Sequence, residues 1–416
     1  LARPARRNAL TLAGSAALVL TLLAGCSTVD QAGATKSGAT AGATPISLPG
    51  ASAPAVTATP TPAADQGPPS DRRRFRKAAR LTGKLTPKSV DASTEGYVVA
   101  QNMIYTHTVS VFGPDHRLVT TIKDQITPSD YGYPKWKSPV RGGPVEASFS
   151  PDGKYVWVSN YSTYGPGFSK EGHDLCSPSS GYDRSFLYRI NTSDWTIDGA
   201  VLVGTVPKYV QASPDGKTVL VTNWCSYDLS VIDTATMKQV ARIPIGRYPR
   251  GIAISKDSTR AYVAVMGGGA IKTVDLTAIA NGERGSKVTK TLARPGRAPR
   301  HLNLSPDGTT LYVTLNGEGT IAKISTRTGK VVDTVRTGQA PRSSVLSPDG
   351  TALFVVNYES DTVSRVRTRD LKVLESTHVD HHPIGITYNS KTREIWVCSY
   401  IGVINVFADA VARAKT

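Results

Sequence analysis

The stretch "APRHLNLSPDGTTLYVTL", residues 298–315, returns 42 positions later as "APRSSVLSPDGTALFVVN", residues 340–357. Its centre reads as a turn. Serine before proline is driven to extended backbone, proline presets φ near about −65°, aspartate bonds back to the chain, and glycine accepts positive φ. SPDG therefore ends one strand and starts the next. The arginine six positions before the turn's proline has no such local role, and it recurs with the turn.

Working outward, the same register appears in "FSPDGKYVWVSN" (149–160), "ASPDGKTVLVTN" (212–223), "ISKDSTRAYVAV" (254–265) and "YNSKTREIWVCS" (388–399), with a degenerate copy in "ASTEGYVVAQN" (92–102). Upstream prolines Pro87, Pro144, Pro207, Pro249, Pro299, Pro341 and Pro383 open seven units spaced 57, 63, 42, 50, 42 and 42 residues apart. Each unit carries four β-type runs, such as "KYVQAS", "TVLVTN", "LSVIDT" and "QVARIPI" in the third. Four strands in a period near 42 predict a propeller blade. The expected fold is all-β: a seven-bladed propeller of four-stranded antiparallel blades, residues 74–416. One blade cannot cover its own apolar faces, whereas stacked blades bury each other's.

Closure of the ring follows from what is left over. After "GVINVFAD" the last unit has only "AVARAKT" for a fourth strand, while "RFRKAARLTGKLTP" (74–87) aligns with the outer strand "KQVARIPIGRYP" (238–249). The N-terminal segment is therefore predicted to supply the last blade's outer strand; the alternative is a short helix there and a strand over 410–416.

The pattern "PRHLNLSPDGTTLYVTLN", with "ATMKQVARIPIG", resembles the YVTN repeat family of seven-bladed propellers, the group containing the bacterial YncE proteins, here on a lipoprotein of actinobacterial type. The resemblance covers about 330 residues. It implies the fold; for function it implies only a range, since related propellers include binding proteins, lactonase-like enzymes and haem-carrying reductase domains. YncE-like proteins are associated with DNA binding. The resemblance also implies that arginine after the unit-starting proline is common in such repeats, where it holds a neighbouring loop carbonyl or carboxylate.

The N-terminus reads as an address. Arg3, Arg6 and Arg7 precede an apolar run that closes with Leu23, Ala24, Gly25 and Cys26, resembling a bacterial lipobox. Residues 1–25 are the expected signal peptide, Cys26 the expected lipidation site, and 26–73 an Ala/Thr/Pro-rich disordered tether. The expected location is the outer face of the cytoplasmic membrane. The chain carries a formal charge of +17, of which residues 1–77 hold about +6. The moderate excess over the remainder favours anionic partners. The "RRRFRK" segment (72–77) reads either as a solvated basic patch or as a contact for an anionic surface.

Topology places side chains. In a blade, the entry from the preceding blade and the loop between strands two and three share one face, and SPDG lies on the other. The residues after the unit-starting prolines, Lys88, Val145, Lys208, Arg250, Arg300, Arg342 and Ile384, are thus expected around the mouth of the central channel, flanked by Arg247, Arg297, His301, His381 and His382. Two readings stay open: structural arginines, or an anion site. Tyr161, Tyr164, Tyr209, Trp224, Tyr227, Tyr248 and Tyr358 near this face suit either loop packing or stacking on bases or sugars. The insertion at 161–185 lies on the same face, and with Cys176 in it and Cys225 in the corresponding loop of the next blade, a Cys176–Cys225 disulfide is expected in an oxidising compartment. Cys398, inside a strand, should be a buried thiol.

The sequence lacks G-x-S-x-G, H-E-x-x-H, a P-loop and a haem-attaching CxxCH. A metal site from His173, Asp174 and Cys176 lacks a fourth ligand, so neither metal nor cofactor is expected. Carboxylates are scarce around the mouth, Glu146 being the main one, which argues mildly against acid–base work. The expected function is a binding or scaffold module, monomeric, for an anionic or polymeric partner such as nucleic acid, wall polymer or protein, through Lys88, Lys208, Arg250, Arg300, Arg342 and His301. The alternative is a lactonase-like hydrolase of sugar-acid lactones at the same mouth.

Overall fold

The computed structural model describes residues 67–283 and 285–411. The expected signal peptide, Cys26 and most of the tether lie outside the described residues. No helix among those described is long and apolar enough to cross a membrane.

Among the described residues, seven four-stranded antiparallel sheets form the ring. Their inner strands are Pro87–Ala92, Pro144–Phe149, Pro207–Ala212, Pro249–Ile254, Pro299–Leu304, Pro341–Leu346 and Pro383–Asn389. Each begins on the proline read from the sequence as the start of its unit. Proline suits that position because it fixes φ and has no N–H to leave unpaired.

The other end of each inner strand is locked by its own turn. In the fifth blade Ser305 Oγ donates to Asp307 Oδ1 at 2.5 Å, Thr309 N donates to the same oxygen at 3.1 Å, and Thr310 N donates to Ser305 Oγ at 3.0 Å. The same three bonds recur around Asp152, Asp215 and Asp349. Gly308 closes the turn at φ 71°, the region where a side chain is strained. Where the motif decays to "SKDS", Ser258 takes that conformation, at φ 59°.

The core lies between blades. Second strands such as Ala352–Asn357 are buried along their whole length, because a neighbouring blade covers each face. Outer strands such as Val331–Arg336 are mostly exposed. One apolar cluster joins Leu229, Val231 and Ile243 of blade three to Ile252, Val263 and Val274 of blade four. Another joins Val90 and Val98 of blade one to Trp396 and Ile404 of blade seven, so the first and last blades pack like any other pair.

The N-terminal segment does supply the seventh blade's outer strand: Arg73–Leu81 runs antiparallel to Val403–Val411. The folded body includes residues before the sequence boundary at 74. Ser70–Arg72 form a 3₁₀ turn, and Ser70, 1% exposed, donates through Oγ to Asp409 Oδ2 at 2.6 Å. Arg365, fully buried, donates to Ser70 O at 2.6 Å and Asp409 Oδ1 at 2.7 Å. Residues 70–73, assigned from composition to the tether, thus belong to the latch. Within "RRRFRK", Phe75 turns inward against Phe354 and Phe407 while Arg74, Arg76 and Lys77 face solvent.

Unequal spacing has three causes. Between blades one and two the chain adds a small hairpin, Gln125–Ile126 with Val140–Arg141. Blade two carries the loop 161–185 between Tyr155–Asn160 and Phe186–Asn191. Blade four adds a short helix, Leu276–Ala280.

Candidate functional site: the basic mouth of the channel

Two backbone features aim side chains at the mouth. In five blades the residue before the proline sits in the left-handed region: Val206, Tyr248, Ala298, Ala340 and His382, at φ between 51° and 57°. Non-glycine residues go there at a cost, a branched valine most of all. The flip lets each carbonyl accept the first N–H beyond the second strand, as from Trp224 to Val206 at 2.9 Å and from Tyr400 to His382 at 3.1 Å. Because this recurs round the ring, the strain belongs to blade architecture. Immediately after the proline, all seven inner strands slip register against strand two. Such bulges re-aim side chains. The residue after the proline enters the mouth, and the next one lines the channel below.

Lys88, Lys208, Arg250, Arg300 and Arg342 consequently meet in one cavity of about 230 Å³, together with Asp174, Trp224, Met266, Asn316 and Tyr400. They form less an exposed rim than a sunken cluster: Lys88, Lys208, Arg250 and Arg300 are each 5–6% exposed. Lys208 Nζ donates to Asp174 Oδ1 at 2.7 Å and lies over the Tyr161 ring at 4.3 Å. Arg250 stands 3.5 Å from Glu146 Oε1. Arg300 donates to the Arg342 carbonyl. The Arg342 guanidinium stacks 3.7 Å from the Tyr358 ring, but its Nε has no hydrogen-bond partner, and neither has Lys88 Nζ.

The electrostatics follow from that inventory. Five basic side chains, four of them buried, face two carboxylates. Burial, then the charges of Arg250 and Arg300, push the Lys88 ammonium well below the usual lysine range. Lys208 is lowered by burial to about 8 despite Asp174. Against its own burial, Asp174 is held at about 2 by the Lys208 charge and hydrogen bond. A buried ammonium without a hydrogen-bond acceptor is costly. The mouth is therefore built with unsatisfied capacity for negative charge.

His301 is not at the mouth. It lies deeper, in a channel chamber of about 320 Å³ lined also by Asp91, Glu146, Tyr209, Gln211 and Asn303. The register slip explains the difference, since position two after the proline faces the channel while position one faces the mouth. Asn303 Nδ2 donates to His301 Nδ1 at 3.3 Å, leaving Nε2–H to donate to the Tyr209 hydroxyl at 3.0 Å. Burial, then Arg300 and Arg250, lower His301 to about 3 and keep it neutral. Burial raises Asp91 to about 7, even though Phe149 N donates to it at 3.0 Å. Glu146 lines this chamber and pairs with Arg250 above, linking the two spaces.

The insertion closes one side of the mouth. Cys176 and Cys225 are joined by a disulfide, with Cα atoms 5.4 Å apart. Trp224 Nε1 donates to Asp174 O at 2.9 Å, and the Tyr227 and Tyr248 hydroxyls both donate to Cys176 O, at 2.8 and 3.0 Å. Asp174, which the sequence offered only within a metal site that lacks a fourth ligand, is the counter-ion of Lys208. Its signal was present: it stands two residues before a cysteine tied to the mouth. Tyr400, at the end of a strand, carried no signal. Among the described residues no group of three or more His, Cys, Asp or Glu is placed to hold a metal ion. Cys398 is buried and unbonded, its thiol pushed by burial up to about 12.

The flanking residues stay outside the cavity. Arg247 stacks on Tyr248 at 4.7 Å, and Arg297 donates to Gly317 O at 2.8 Å. His381 and His382 stack on each other at 3.6 Å, with His381 against Asp361. Trp224 and Tyr248 stack at 4.4 Å beside the disulfide, so most of the aromatic residues pack loops.

Fold and site together define a seven-bladed β-propeller with a cationic channel mouth. The family model for "Lactonase, 7-bladed beta-propeller" matches residues 249–382. That is under a third of the chain, from the proline opening blade four to the residue before the proline opening blade seven, and it takes in Arg250, Arg300, His301 and Arg342 but neither Lys88 nor Lys208. No curated protein matches. Among solved structures, the Kuenenia stuttgartiensis hydrazine synthase is similar in fold, with a TM-score of 0.62 and 17% identity over 80% of this chain and 98% of that one.

Proposed function

We propose that this protein binds an anionic group, phosphate or carboxylate, at the mouth of its channel. The observation that carries the reading is the convergence of Lys88, Lys208, Arg250, Arg300 and Arg342 on one cavity whose lining includes the single carboxylate Asp174, with Glu146 reaching Arg250 from the chamber below and Lys88 Nζ lacking a hydrogen-bond partner. A fixed cationic cluster with low-dielectric walls focuses anions and binds them through charge-assisted hydrogen bonds. At about 230 Å³ the cavity admits one such group, either of a small molecule or of a polymer such as nucleic acid or wall polymer presenting one group at a time. The basic leader, Cys26 and the low-complexity segment support a lipid-anchored, extracytoplasmic setting, with a YncE-like binding role. Calorimetric titration of the full chain with inorganic phosphate and acetate tests the reading. Binding that weakens with salt and is lost in Arg300→Met is expected; no heat from either anion at millimolar concentration sinks it.

A second reading, lactone hydrolysis, is favoured by the family match over Arg250, Arg300, His301 and Arg342. In it the arginines polarise an ester carbonyl, Glu146 in the adjoining chamber accepts a proton from water, and neutral His301 serves there as a hydrogen-bond donor through Nε2–H. Turnover of sugar-acid lactones that disappears in Glu146→Gln or His301→Gln would establish this reading over simple binding.

A further inference from the structure

The mouth already contains an anion belonging to the chain. Asp174 Oδ1 accepts from Lys208 Nζ at 2.7 Å and from the Tyr161 hydroxyl at 3.1 Å, while its side chain remains 65% exposed. The carboxylate is delivered by the loop 161–185 of blade two. It is fixed there by the Cys176–Cys225 disulfide and by three hydrogen bonds to the carbonyls of Asp174 and Cys176. Opposite it, Lys88 Nζ and Arg342 Nε have no hydrogen-bond partner, and Arg300 is held only by a backbone carbonyl and its own burial. The mouth is thus divided into a half filled by the chain and a half left open.

We infer that Asp174 is a tethered competitor that occupies the Lys208 half of the mouth and limits how much negative charge a ligand can bring. The inference rests on the anion-binding reading. As folded, the site takes a singly charged group in the half formed by Lys88, Arg300 and Arg342. A more highly charged group needs Asp174 to withdraw from Lys208, and the exposure of Asp174 leaves it free to move toward solvent. The Coulomb cost of a fixed negative charge scales with the charge of the ligand, so Asp174 penalises a dianion about twice as much, in free energy, as a monoanion. Since the disulfide holds the loop that delivers it, reduction should relieve the same restraint.

The test compares wild type, Asp174→Asn and the double variant Cys176→Ser/Cys225→Ser, each titrated calorimetrically as the full chain with acetate and, at pH 8, with inorganic phosphate. Asp174→Asn is expected to raise phosphate affinity by about tenfold and acetate affinity by about threefold, the ratio expected for charges of two and one. The cysteine variant should shift in the same direction, and adding Asp174→Asn to it should give no further gain. Phosphate affinity that is unchanged or weaker in Asp174→Asn overturns the inference while leaving anion binding in place. Failure of wild type and variant alike to bind either anion sinks the anion-binding reading and this inference with it. Binding by Asp174→Asn with none by the wild type would overturn the half-open site, and with it anion binding by the native chain.

Discussion

The two ends of each inner strand solve opposite problems. At the SPDG end, serine, aspartate and the following N–H groups satisfy one another within six residues, as around Asp307. At the proline end, the side chains that converge find partners from other blades or none: Lys208 reaches Asp174 34 residues away, and Lys88 Nζ has no hydrogen-bond partner. A strand end that closes on itself contributes stability and says nothing of ligands. A strand end that leaves buried charge open costs stability, and it is there that the proposed anion site lies.

The largest effect should come from the open end. Replacing Lys88 and Arg342 together by methionine removes two buried cationic donors, and hydrogen bonds to charged groups contribute about 1.5–3 kcal/mol each. Phosphate affinity should fall by about 100-fold or more, while thermal stability without ligand holds or rises. A melting temperature several degrees lower would break the contrast, because it would make these cations structural. Next in size is Gly251→Ala, where the mouth and the ring meet. An added Cβ would lie 2.7 Å from the Arg300 carbonyl and 2.9 Å from the His301 Cα. Overpacking of this kind costs about 1–3 kcal/mol, and it should shift Arg300 enough to weaken phosphate binding too.

Asp307→Ala acts only at the closed end. It should cost about 1–2 kcal/mol in denaturant unfolding by removing acceptors for Ser305 and Thr309, with phosphate affinity unmoved. The pH response separates the turns from the channel by its sign. Turn aspartates such as Asp215 and Asp307 lie below their ordinary 3.8, largely through serine and backbone hydrogen bonds. Their contribution is complete above that value and is lost as pH falls through the lowered one. Asp91, in the channel, is raised by burial to about 7, so the native state holds its proton more tightly and stability falls as pH rises from 3.8 to about 7. Unfolding curves between pH 4 and 8 should therefore lose this decline in Asp91→Asn; an unchanged slope would mean that Asp91 is ionised in the folded chain.

Much of this was legible before any coordinates. The seven prolines mark the first residue of seven inner strands, since the position suits a residue with fixed φ and no N–H. Five of the positions that follow them do hold the cations of the mouth. The depth of His301 was not legible, because a register slip after the proline alters the simple alternation along a strand. Asp174 was legible only indirectly, through the cysteine two residues on, because the loop 161–185 has no hydrophobic period from which a direction could be read. The start of the body was misplaced by a few residues because Ser70 is a polar residue in a polar segment, and only Asp409 and Arg365 explain why it is buried.

By itself the sequence determined the number of blades, their register and the strand that closes them, because each turn is encoded by neighbours in the chain and each blade by a short period. Only the tertiary structure decided how deep each of those charges would lie and which would be left without a partner. Closing the ring brings side chains from different blades into one low-dielectric space, and whether a buried charge is paired there depends on residues far away in the sequence.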